Sequence, residues 1–405
     1  DGAEIPARDT AREQLKEISD RLWMMNEAFW WHYITSGHSG AMTSALFMIL
    51  MADGLDADTA KAKIAGVLED IDGIESVDIL RSLRCAARAL LKEKPDIGTL
   101  SAQELAQYIR TCGPESRRAL GDFLKRHGHR AIREAEMRSR SWHADEESLC
   151  HYLKTVIATG AEDTAKARTV DKNIEALLEG KKGLLRWAVK SIIAQARKGV
   201  VNREYTKSQS IRVVDRFKKA YRHLAELMVR EGMLADEDLV FFLRHEELVR
   251  LADGSEPGLV KRAMARRRLL EQQKTFRFDE VCVGRPRPRP AMLQTAGGAK
   301  VLTGIALSRG VATGRARVVR SVAEANELQP GEIMVAAFTD IGWSPYYCVL
   351  GALVTEMGSA LSHGAVVARE YALPVVSGVA DATEVIRTGD IVCVDGTAGT
   401  VAIVG

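Results

Sequence analysis

A histidine near the end of the chain has the setting of a phosphoryl carrier. His363 follows Ser362 and precedes Gly364, where a short predicted helix begins. A neutral imidazole is nucleophilic near pH 7 and can attack phosphorus. Free backbone N–H groups at a helix start stabilise a phosphate, and Gly364 permits its close approach. The pattern predicts a reversible phosphohistidine, with a helix-capping core histidine as the alternative.

Three charged residues, Arg203, Glu204 and Lys207, lie close together upstream of the histidine. Arg203 and Lys207 lie one turn apart on a predicted helix and share a face. Two cations there would neutralise the charge that builds during transfer. Glu204 would act as a base toward an acceptor hydroxyl or orient a cation. An ordinary solvated helix face with ion pairs is the alternative.

The segment around the histidine resembles the swivelling domain of phosphoenolpyruvate-utilising enzymes, such as pyruvate phosphate dikinase, phosphoenolpyruvate synthase and rifampin (rifampicin) phosphotransferase. The similarity extends from Gly304 to the end of the chain. It implies that His363 is phosphorylated and carries the phosphoryl group between two distant sites. It also implies that Thr355 hydrogen-bonds the imidazole or the phosphate. Arg369 is a weaker candidate for the phosphate or acceptor side, because about 240° of helix rotation separates it from His363 and favours structure or domain docking.

Two blocks in the first part of the chain resemble the helical domain of rifampin phosphotransferases and their phosphoenolpyruvate synthase-like relatives. One is Gly128-His129-Arg130, and the other is the Arg-Glu-x-x-Lys pattern of residues 203–207. In that family the second block faces the swivelling histidine near the acceptor. His129 and Arg130 are therefore acceptor-side candidates, with a buried helix-end histidine as the alternative.

The elements that must position these residues fall into two regions. From about Ala11 to about Leu270, apolar residues recur at helical spacing with few prolines, which predicts an all-helical region. Ser101-Ala-Gln-Glu104 has the pattern of a capping box. The stretch from Leu184 to Glu231 contains a single glycine, Gly199, so one long helix or two helices joined there are both compatible with it.

Beyond Lys300 the sequence predicts a β-rich domain with one helix from Ser362 to Glu370. A turn over residues 395–399 joins the last two predicted strands. The predicted strands cover Arg315–Val319, Ile333–Phe338, Ala352–Thr355, Pro374–Val376, Ile391–Val394 and Thr400–Val404. The expected fold class is a multi-domain α and α/β protein, in which a mainly helical N-terminal domain precedes a β/β/α phosphohistidine swivelling domain.

An arginine- and proline-rich segment separates the two regions. Residues from Arg285 to Lys300 cannot hold a helix and predict a semi-rigid, solvated linker that lets the histidine domain swivel. The expected domains are thus residues 1–283 and 301–405, with the linker at 284–300. The positive charge of the linker is explained by solvation without a nucleic-acid contact.

Aromatic residues are concentrated near the start of the chain. They would line a pocket for a large apolar acceptor, although aromatics at helical spacing more often belong to the core. They are Trp23, Phe29, Trp30, Trp31, Tyr33 and Phe47.

Composition excludes several classes of protein. The chain has 57 Lys and Arg against 54 Asp and Glu, a balance that does not indicate nucleic-acid binding. Its six cysteines lack metal-ligand spacing, so we expect no metal site and reduced thiols in a cytoplasmic protein. The longest apolar stretch, from Ala41 to Ala52, is too short to cross a bilayer, and no membrane association is expected.

The resemblance also implies a partner. In rifampin phosphotransferase an upstream ATP-grasp domain loads the histidine, using ATP and Mg²⁺. No such domain and no Gly-rich nucleotide loop is recognisable here, and the chain begins at Asp1 without an initiator methionine. We therefore expect a piece of a dikinase-type phosphotransferase that needs a separate ATP-grasp domain or subunit, binds no nucleotide itself, and serves a small-molecule hydroxyl acceptor.

Two alternatives remain at this point. One is a phosphoenolpyruvate synthase-like activity on a small keto acid, against which the lack of a pyruvate-binding barrel after the swivelling domain counts. The other is a non-catalytic binding or assembly protein that has lost the ATP domain.

Overall fold

The computed structural model describes residues 4–68, 71, 73–158, 170–256, 258–274, 276, 278, 282–288, 301–358 and 363–404. For some residues, His363 among them, it describes the backbone alone. In this part of the chain, helices occupy the region from Ala11 to Gln273, and a mixed β-sheet domain follows from Val301. The predicted fold class, a helical region followed by a β-rich domain, is confirmed.

The helices of the first region follow the predicted apolar spacing. They span Ala11–Ser19 (α1), Trp23–Ala52 (α2), Ala57–Val67 (α3), Glu75–Glu93 (α4), Ala102–Thr111 (α5), Pro114–His127 (α6), Glu146–Ala158 (α7), Val170–Leu178 (α8), Gly183–Arg230 (α9), His245–Ala252 (α10) and Leu259–Gln273 (α11), with short 3-10 helices at Ile97–Thr99, Trp142–Ala144 and Glu237–Phe242.

The long stretch before residue 231 forms one helix, α9, so the alternative of two helices joined at Gly199 is wrong. Close packing explains why a glycine stands inside this helix. A Cβ atom at position 199 would lie 3.0 Å from the Cα atom of Ser39, so glycine lets α2 pass close to α9.

The contacts divide the chain into two compact units. The first consists of Asp1–Trp30, Ala135–Arg140 and Gln209–Gln294, and the second of Trp31–Glu134, Ser141–Ser208 and Thr295–Gly405. Residues 289–300 of the predicted linker lie outside the described residues, and the domain boundaries at residues 283 and 301 stay predictions.

The first unit is built around the apolar face of the second half of α9. Phe217, Leu224 and Met228 on this face are buried against residues of α1, α10 and α11. A carboxylate supports this core: Glu247 pairs with Arg266 at 2.6 Å and with Arg262 at 3.1 Å. These arginines hold the pKa of Glu247 at about 2. The basic face of α11 is therefore partly engaged in ion pairs.

The β domain, residues 301–404, lies in the second unit. Its strands are Val301–Thr303 (β1), Ile305–Ser308 (β2), Val311–Val318 (β3), Ile333–Ala336 (β4), Ala352–Thr355 (β5), Val375–Ser377 (β6), Ile391–Asp395 (β7) and Thr400–Ile403 (β8), and its helices are Val322–Ala325 (α12), His363–Glu370 (α13) and Ala382–Val385 (α14). The described strands form one sheet in the order β1-β8-β7-β3-β4-β5-β6-β2. Strands β3, β4, β5 and β6 pair in parallel, so β4, β5 and β6 end at the same edge.

The structure corrects several strand boundaries. Strands β1 and β2 were not predicted, because they are short and leave Val301 and Ile305 exposed. Strand β3 begins at Val311, before the predicted start, because it pairs with β7 over its first half. Strand β4 ends at Ala336, before Phe338, and β8 ends at Ile403. The predicted turn after β7 is confirmed, since Asp395 Oδ1 accepts the N–H groups of residues 397 and 398.

A chain of aromatic rings connects the helices of the second unit to the β domain. The rings of Phe123 and Trp142 stack at 5.8 Å, Trp142 meets Tyr152 at 5.3 Å, and Tyr152 meets Tyr346 at 5.3 Å. Tyr346 belongs to a short 3-10 helix, Ile341–Tyr346, between β4 and β5. One apolar core therefore includes residues of α4 to α7 and of the β domain.

Most aromatic residues of α2 do not belong to a core. Trp31 and Tyr33 expose 55% and 71% of their surface, and Trp23, Phe29 and Trp30 are also exposed, so the core interpretation is wrong for these residues. Phe47 alone of the predicted group packs against a buried cluster, together with Leu46 and Leu50. Despite this apolar surface, no helix among the described residues has the length and apolar character needed to span a bilayer.

The capping box before α5 is confirmed and gives a test of local stability. Ser101 Oγ accepts the N–H of Glu104 at 3.2 Å, and the Glu104 carboxylate accepts the N–H of Ser101 at 2.7 Å. We expect Ser101→Ala to destabilise the start of α5 by about 1 kcal/mol, because an N–H group of the first turn loses its acceptor. Hydrogen exchange in Ala102–Thr111 should become about fivefold faster. The exposed neighbour Gln103→Ala is the control, and equal effects of the two changes would contradict the role of the cap.

Candidate functional site

The predicted phosphohistidine begins a helix at one edge of the sheet. His363 is the first residue of α13, while Ser362 lies outside the described residues. Thr355 ends β5, and its Oγ1 hydrogen-bonds to Ser377 Oγ at the end of β6, 2.8 Å away. The bond ties together two strand ends at the edge from which the segment leading to His363 departs. A bond from Thr355 to the imidazole or to a phosphate stays a prediction.

Gly364 allows the start of α13 to pack tightly within the β domain. A Cβ atom at this position would lie 2.4 Å from Thr339 Oγ1 and 3.1 Å from the Tyr347 hydroxyl. Glycine is therefore required here by packing, whatever it contributes to the approach of a phosphate. Burial raises the pKa of Tyr347, so its hydroxyl remains protonated. The sequence analysis missed both hydroxyl residues, because they precede β5 and only the fold brings them to α13.

Arg369, near the end of α13, is buried inside the β domain. Its Nη1 donates to the backbone carbonyl of Leu307 in β2 at 3.4 Å. This position favours the structural role that the helix rotation suggested.

A single carboxylate connects the two sequence blocks of the helical region. Glu134, which is buried, accepts a hydrogen bond from Arg130 Nη1 on Oε2 at 2.9 Å. Its other oxygen lies 3.6 Å from Lys207 Nζ. Arg130 also approaches Glu75 at 3.5 Å. The structure thus brings Arg130 and Lys207 together, and Glu134 is a site residue that the sequence analysis did not single out.

Arg203 has hydrogen-bonding capacity left over. Its Nη2 lies 3.9 Å from Glu204 Oε1, an ion-pair distance that is too long for a hydrogen bond. Its Nη1 is buried, and no hydrogen-bond acceptor is found for it among the described residues. Burying a charged donor without an acceptor is costly. The side chain as a whole is 17% exposed, although Nη1 itself is buried.

His32 lies next to this cationic pair. Its Nδ1 is 3.3 Å from Thr206 Oγ1, on the turn of α9 that carries Arg203 and Lys207. Burial lowers the pKa of His32, and the charges of Arg203 and Lys207 lower it further. The imidazole is therefore neutral at neutral pH and can accept a proton. Nothing in the sequence distinguished His32, because α2 and α9 are far apart along the chain.

The two histidines at the end of α6 occupy interior positions. His129 is buried, with Nε2 3.4 Å from Ser208 Oγ on α9. His127 Nε2 lies 3.0 Å from Asp78 Oδ2, and burial lowers the pKa of this imidazole. Their places favour packing between helices, the alternative to an acceptor-side role. In the described part of the chain, no three His, Cys, Asp or Glu side chains are grouped so as to hold a metal ion.

Both the β domain and the helical region match models of known protein families. Residues 328–399, which contain β4 to β7 and α13, match the mobile domain of PEP-utilising enzymes. Residues 32–204, which contain α3 to α8 and the Glu134 cluster up to Glu204, match the fourth domain of rifampicin phosphotransferase.

Individual relatives agree with these matches. The rifampicin phosphotransferase of Streptomyces sviceus is 31% identical over 313 residues, covering 72% of this chain and 35% of the relative. That of Bacillus cereus is 29% identical over 309 residues, with 72% and 35% covered. The prodigiosin synthesizing transferase PigC of Serratia marcescens is 29% identical over 317 residues, with 75% and 36% covered. The chain spans about a third of the length of these relatives.

The histidine helix lies in the segment that matches the mobile domain, and the Arg130, Glu134 and Arg203 side chains lie in the segment that matches the fourth domain. The two matches and the relatives all point to one group of proteins. The chain belongs to the rifampicin phosphotransferase family and contains the mobile phosphohistidine domain of PEP-utilising enzymes.

Proposed function

We propose that this chain is the transfer part of a phosphotransferase. His363 receives a phosphoryl group from an ATP-loading domain and passes it to a hydroxyl group of a small molecule held by the helical region. The observation that carries the proposal is Arg203 Nη1, a buried cationic donor without an acceptor among the described residues, in the same compact unit as the histidine helix.

The transfer step uses the residues around Arg203. The acceptor oxygen attacks phosphorus, the N–P bond to His363 breaks, and its electron pair returns to the imidazole nitrogen. Arg203 and Lys207 offset the negative charge of the phosphoryl oxygens during the step. The acceptor proton passes to a base, for which the neutral His32 imidazole and the Glu204 carboxylate are the two candidates.

The surface of α2 and α9 supports a large, partly apolar acceptor over a small keto acid. Soluble proteins seldom expose many large apolar side chains together unless these bind something. In the second unit the exposed large apolar residues of the two helices are Trp31, Tyr33, Ile34, Met48, Met51, Leu184, Leu185, Trp187 and Tyr205. Tyr205 lies between Arg203 and Lys207 in the sequence. The name of the rifampicin phosphotransferase relatives is compatible with an acceptor of this kind.

Loading of the histidine requires ATP and Mg²⁺, which we assign to a separate ATP-grasp domain upstream of this region. The chain itself would then not bind nucleotide. Calorimetry with residues 1–405 should give no binding isotherm for Mg-ATP, whereas the same chain mixed with an ATP-grasp domain should. A micromolar dissociation constant for the chain alone would reveal a nucleotide site within it.

The identity of the carrier is tested by His363→Ala. After incubation with Mg-ATP and the ATP-grasp domain of a rifampicin phosphotransferase, the mass of the wild-type chain should increase by one phosphoryl group. The variant should show no increase, because the nucleophilic imidazole is gone. His38→Ala, at an exposed position of α2, is the matched control. Equal labelling of the His363 variant would assign the phosphate to another residue.

The role of the cationic pair is tested by Arg203→Ala and Lys207→Ala. Chain loaded on His363 is mixed with rifampicin as the probe acceptor, and phosphorylated product is measured by mass spectrometry. Each variant should load normally but transfer about 100-fold more slowly, because it lacks a cation that stabilises the transition state. Lys190→Ala, an exposed lysine of α9, should transfer at the wild-type rate. If the wild type transfers and both variants match it, the pair has no role in transfer.

A further inference from the structure

The backbones of the β domain and the helical region approach each other closely at Gly342. A Cβ atom at Gly342 would lie 2.4 Å from the backbone nitrogen of Ile132 and 2.5 Å from the carbonyl oxygen of Ala131. No other residue fits at position 342 unless the two segments move apart. This contact lies beside the aromatic chain through Tyr152 and Tyr346, so it is part of a packed interface.

Asp340 joins the same two segments by hydrogen bonds. Its Oδ2 accepts the backbone N–H of Arg133 at 2.5 Å, and its Oδ1 accepts the N–H of Gly342 at 2.9 Å. Arg133 holds an unusual conformation, with φ at 55°, where residues other than glycine are uncommon. The Arg133 side chain is exposed, so burial of that side chain does not explain the conformation. The conformation directs the N–H group toward Asp340.

Asp340 lies close to candidate site residues both in the β domain and in the helical region. In the β domain it follows Thr339, whose hydroxyl limits the space at Gly364, next to His363. In the helical region its partner Arg133 precedes Glu134, which binds Arg130 and approaches Lys207. A displacement at Asp340 would therefore change the position of α13 relative to the residues around Glu134.

We propose that Asp340 is a positioning residue. By accepting the N–H of Arg133, it holds the β domain against the helical region. In this position, which we call the seated state, His363 transfers its phosphoryl group to the acceptor. The inference rests on the proposed function, because the position of the β domain matters for activity only if His363 transfers a phosphoryl group there. The contact between Asp340 and Arg133 can itself be tested without phosphate or acceptor.

The ionisation of Asp340 should make the contact depend on pH, which apolar packing alone would not do. The charged or titratable groups that act on it are Glu134 and Lys207 from the helical region and the nearby hydroxyls of Tyr152 and Tyr347. Desolvation, followed by the charge of Glu134, raises the pKa of Asp340 to about 6 from 3.8. The ordinary value returns when the domains separate.

The sign of the effect follows from this difference. The seated state binds a proton on Asp340 more tightly than the separated state, so seating is strongest at low pH and loses this contribution as pH rises through about 6. Between about pH 7.5 and about pH 5 the equilibrium between seated and separated states should shift about tenfold toward the seated state. An interface without Asp340 would not show this shift.

Hydrogen exchange of the full chain measures the seated state directly. Peptides that cover residues 131–134 and 341–347 report on the contact, and the peptide of α5, Ala102–Thr111, reports on the folding of the unit. Exchange is compared after correction for the intrinsic effect of pH. We expect Asp340→Ala and Gly342→Ala each to accelerate exchange at the contact about tenfold or more. Gly121→Ala, where a Cβ atom meets nothing within 4 Å, and Asp390→Ala, a carboxylate elsewhere in the β domain, are the matched controls.

The conservative variant Asp340→Asn separates positioning from general stability. Its amide oxygen still accepts the N–H of Arg133, so the contact should remain largely protected, but the pH dependence should vanish. Unchanged exchange in both Asp340→Ala and Gly342→Ala would overturn the proposal, as would a pH shift that persists in Asp340→Asn. If either disruptive variant also accelerates exchange in the α5 peptide, the variant has unfolded the unit. The pH profile of Asp340→Asn compared with that of the wild type then decides whether Asp340 positions the β domain.

Phosphoryl transfer gives the link to function. In Asp340→Ala, loading of His363 by the ATP-grasp domain should be unchanged, while transfer to rifampicin should fall at least tenfold and recover in Asp340→Asn. Equal loading and equal transfer in wild type and Asp340→Ala would overturn the positioning role. If His363 never becomes loaded in the wild type, the proposed function fails, and the exchange experiment still decides whether the seated state exists.

Discussion

The arrangement of this protein depends on a contact between two stretches of backbone that leaves no room for a side chain. At Gly342 the β domain lies directly against the main chain of residues 131 and 132. The rings of Tyr152 and Tyr346 pack nearby, and the apolar core continues from the helices into the sheet domain. Because the approach leaves no room for a Cβ atom at position 342, the two segments can pack in this way only with glycine there.

Two buried carboxylates of the helical region differ in how fully the cations around them are paired. In the first unit Glu247 is surrounded by Arg262 and Arg266, and its pKa falls to about 2, as expected for a carboxylate whose partners are fully engaged. In the second unit Glu134 is shared between Arg130 and Lys207, and Arg203 keeps a buried donor without an acceptor among the described residues. An incompletely satisfied cation in a partly buried setting favours an anionic ligand.

Membership of the rifampicin phosphotransferase family explains the combination of a histidine helix with a helical region, but it leaves the acceptor open. Acceptor pockets diverge while the carrier remains recognisable. The exposed aromatic and aliphatic side chains of α2 and α9 are a property of this chain, and they are the physical basis for preferring a large apolar acceptor. The chain matches about a third of the length of these relatives.

Local signals in the sequence were enough to predict the order of the helical region and the β domain, the capping box at Ser101 and the helix that begins at His363. Each depends on residues within a few positions of one another, where helix geometry and backbone hydrogen bonding leave few alternatives. The same signals placed Arg203 and Lys207 on one helical face. They missed the short edge strands β1 and β2, whose ends are set by pairing with β8 and β6.

Only the tertiary structure decided which side chains meet. Glu134 joins Arg130 to Lys207, His32 lies beside Thr206, and Asp340 binds the backbone of Arg133. Each of these contacts joins segments that are far apart in the chain, and a single histidine, glutamate or aspartate carries no local pattern that reveals its partner. The exposure of Trp31 and Tyr33 has the same origin, because helical spacing identifies a face but the packing of α2 against α9 determines whether that face is covered.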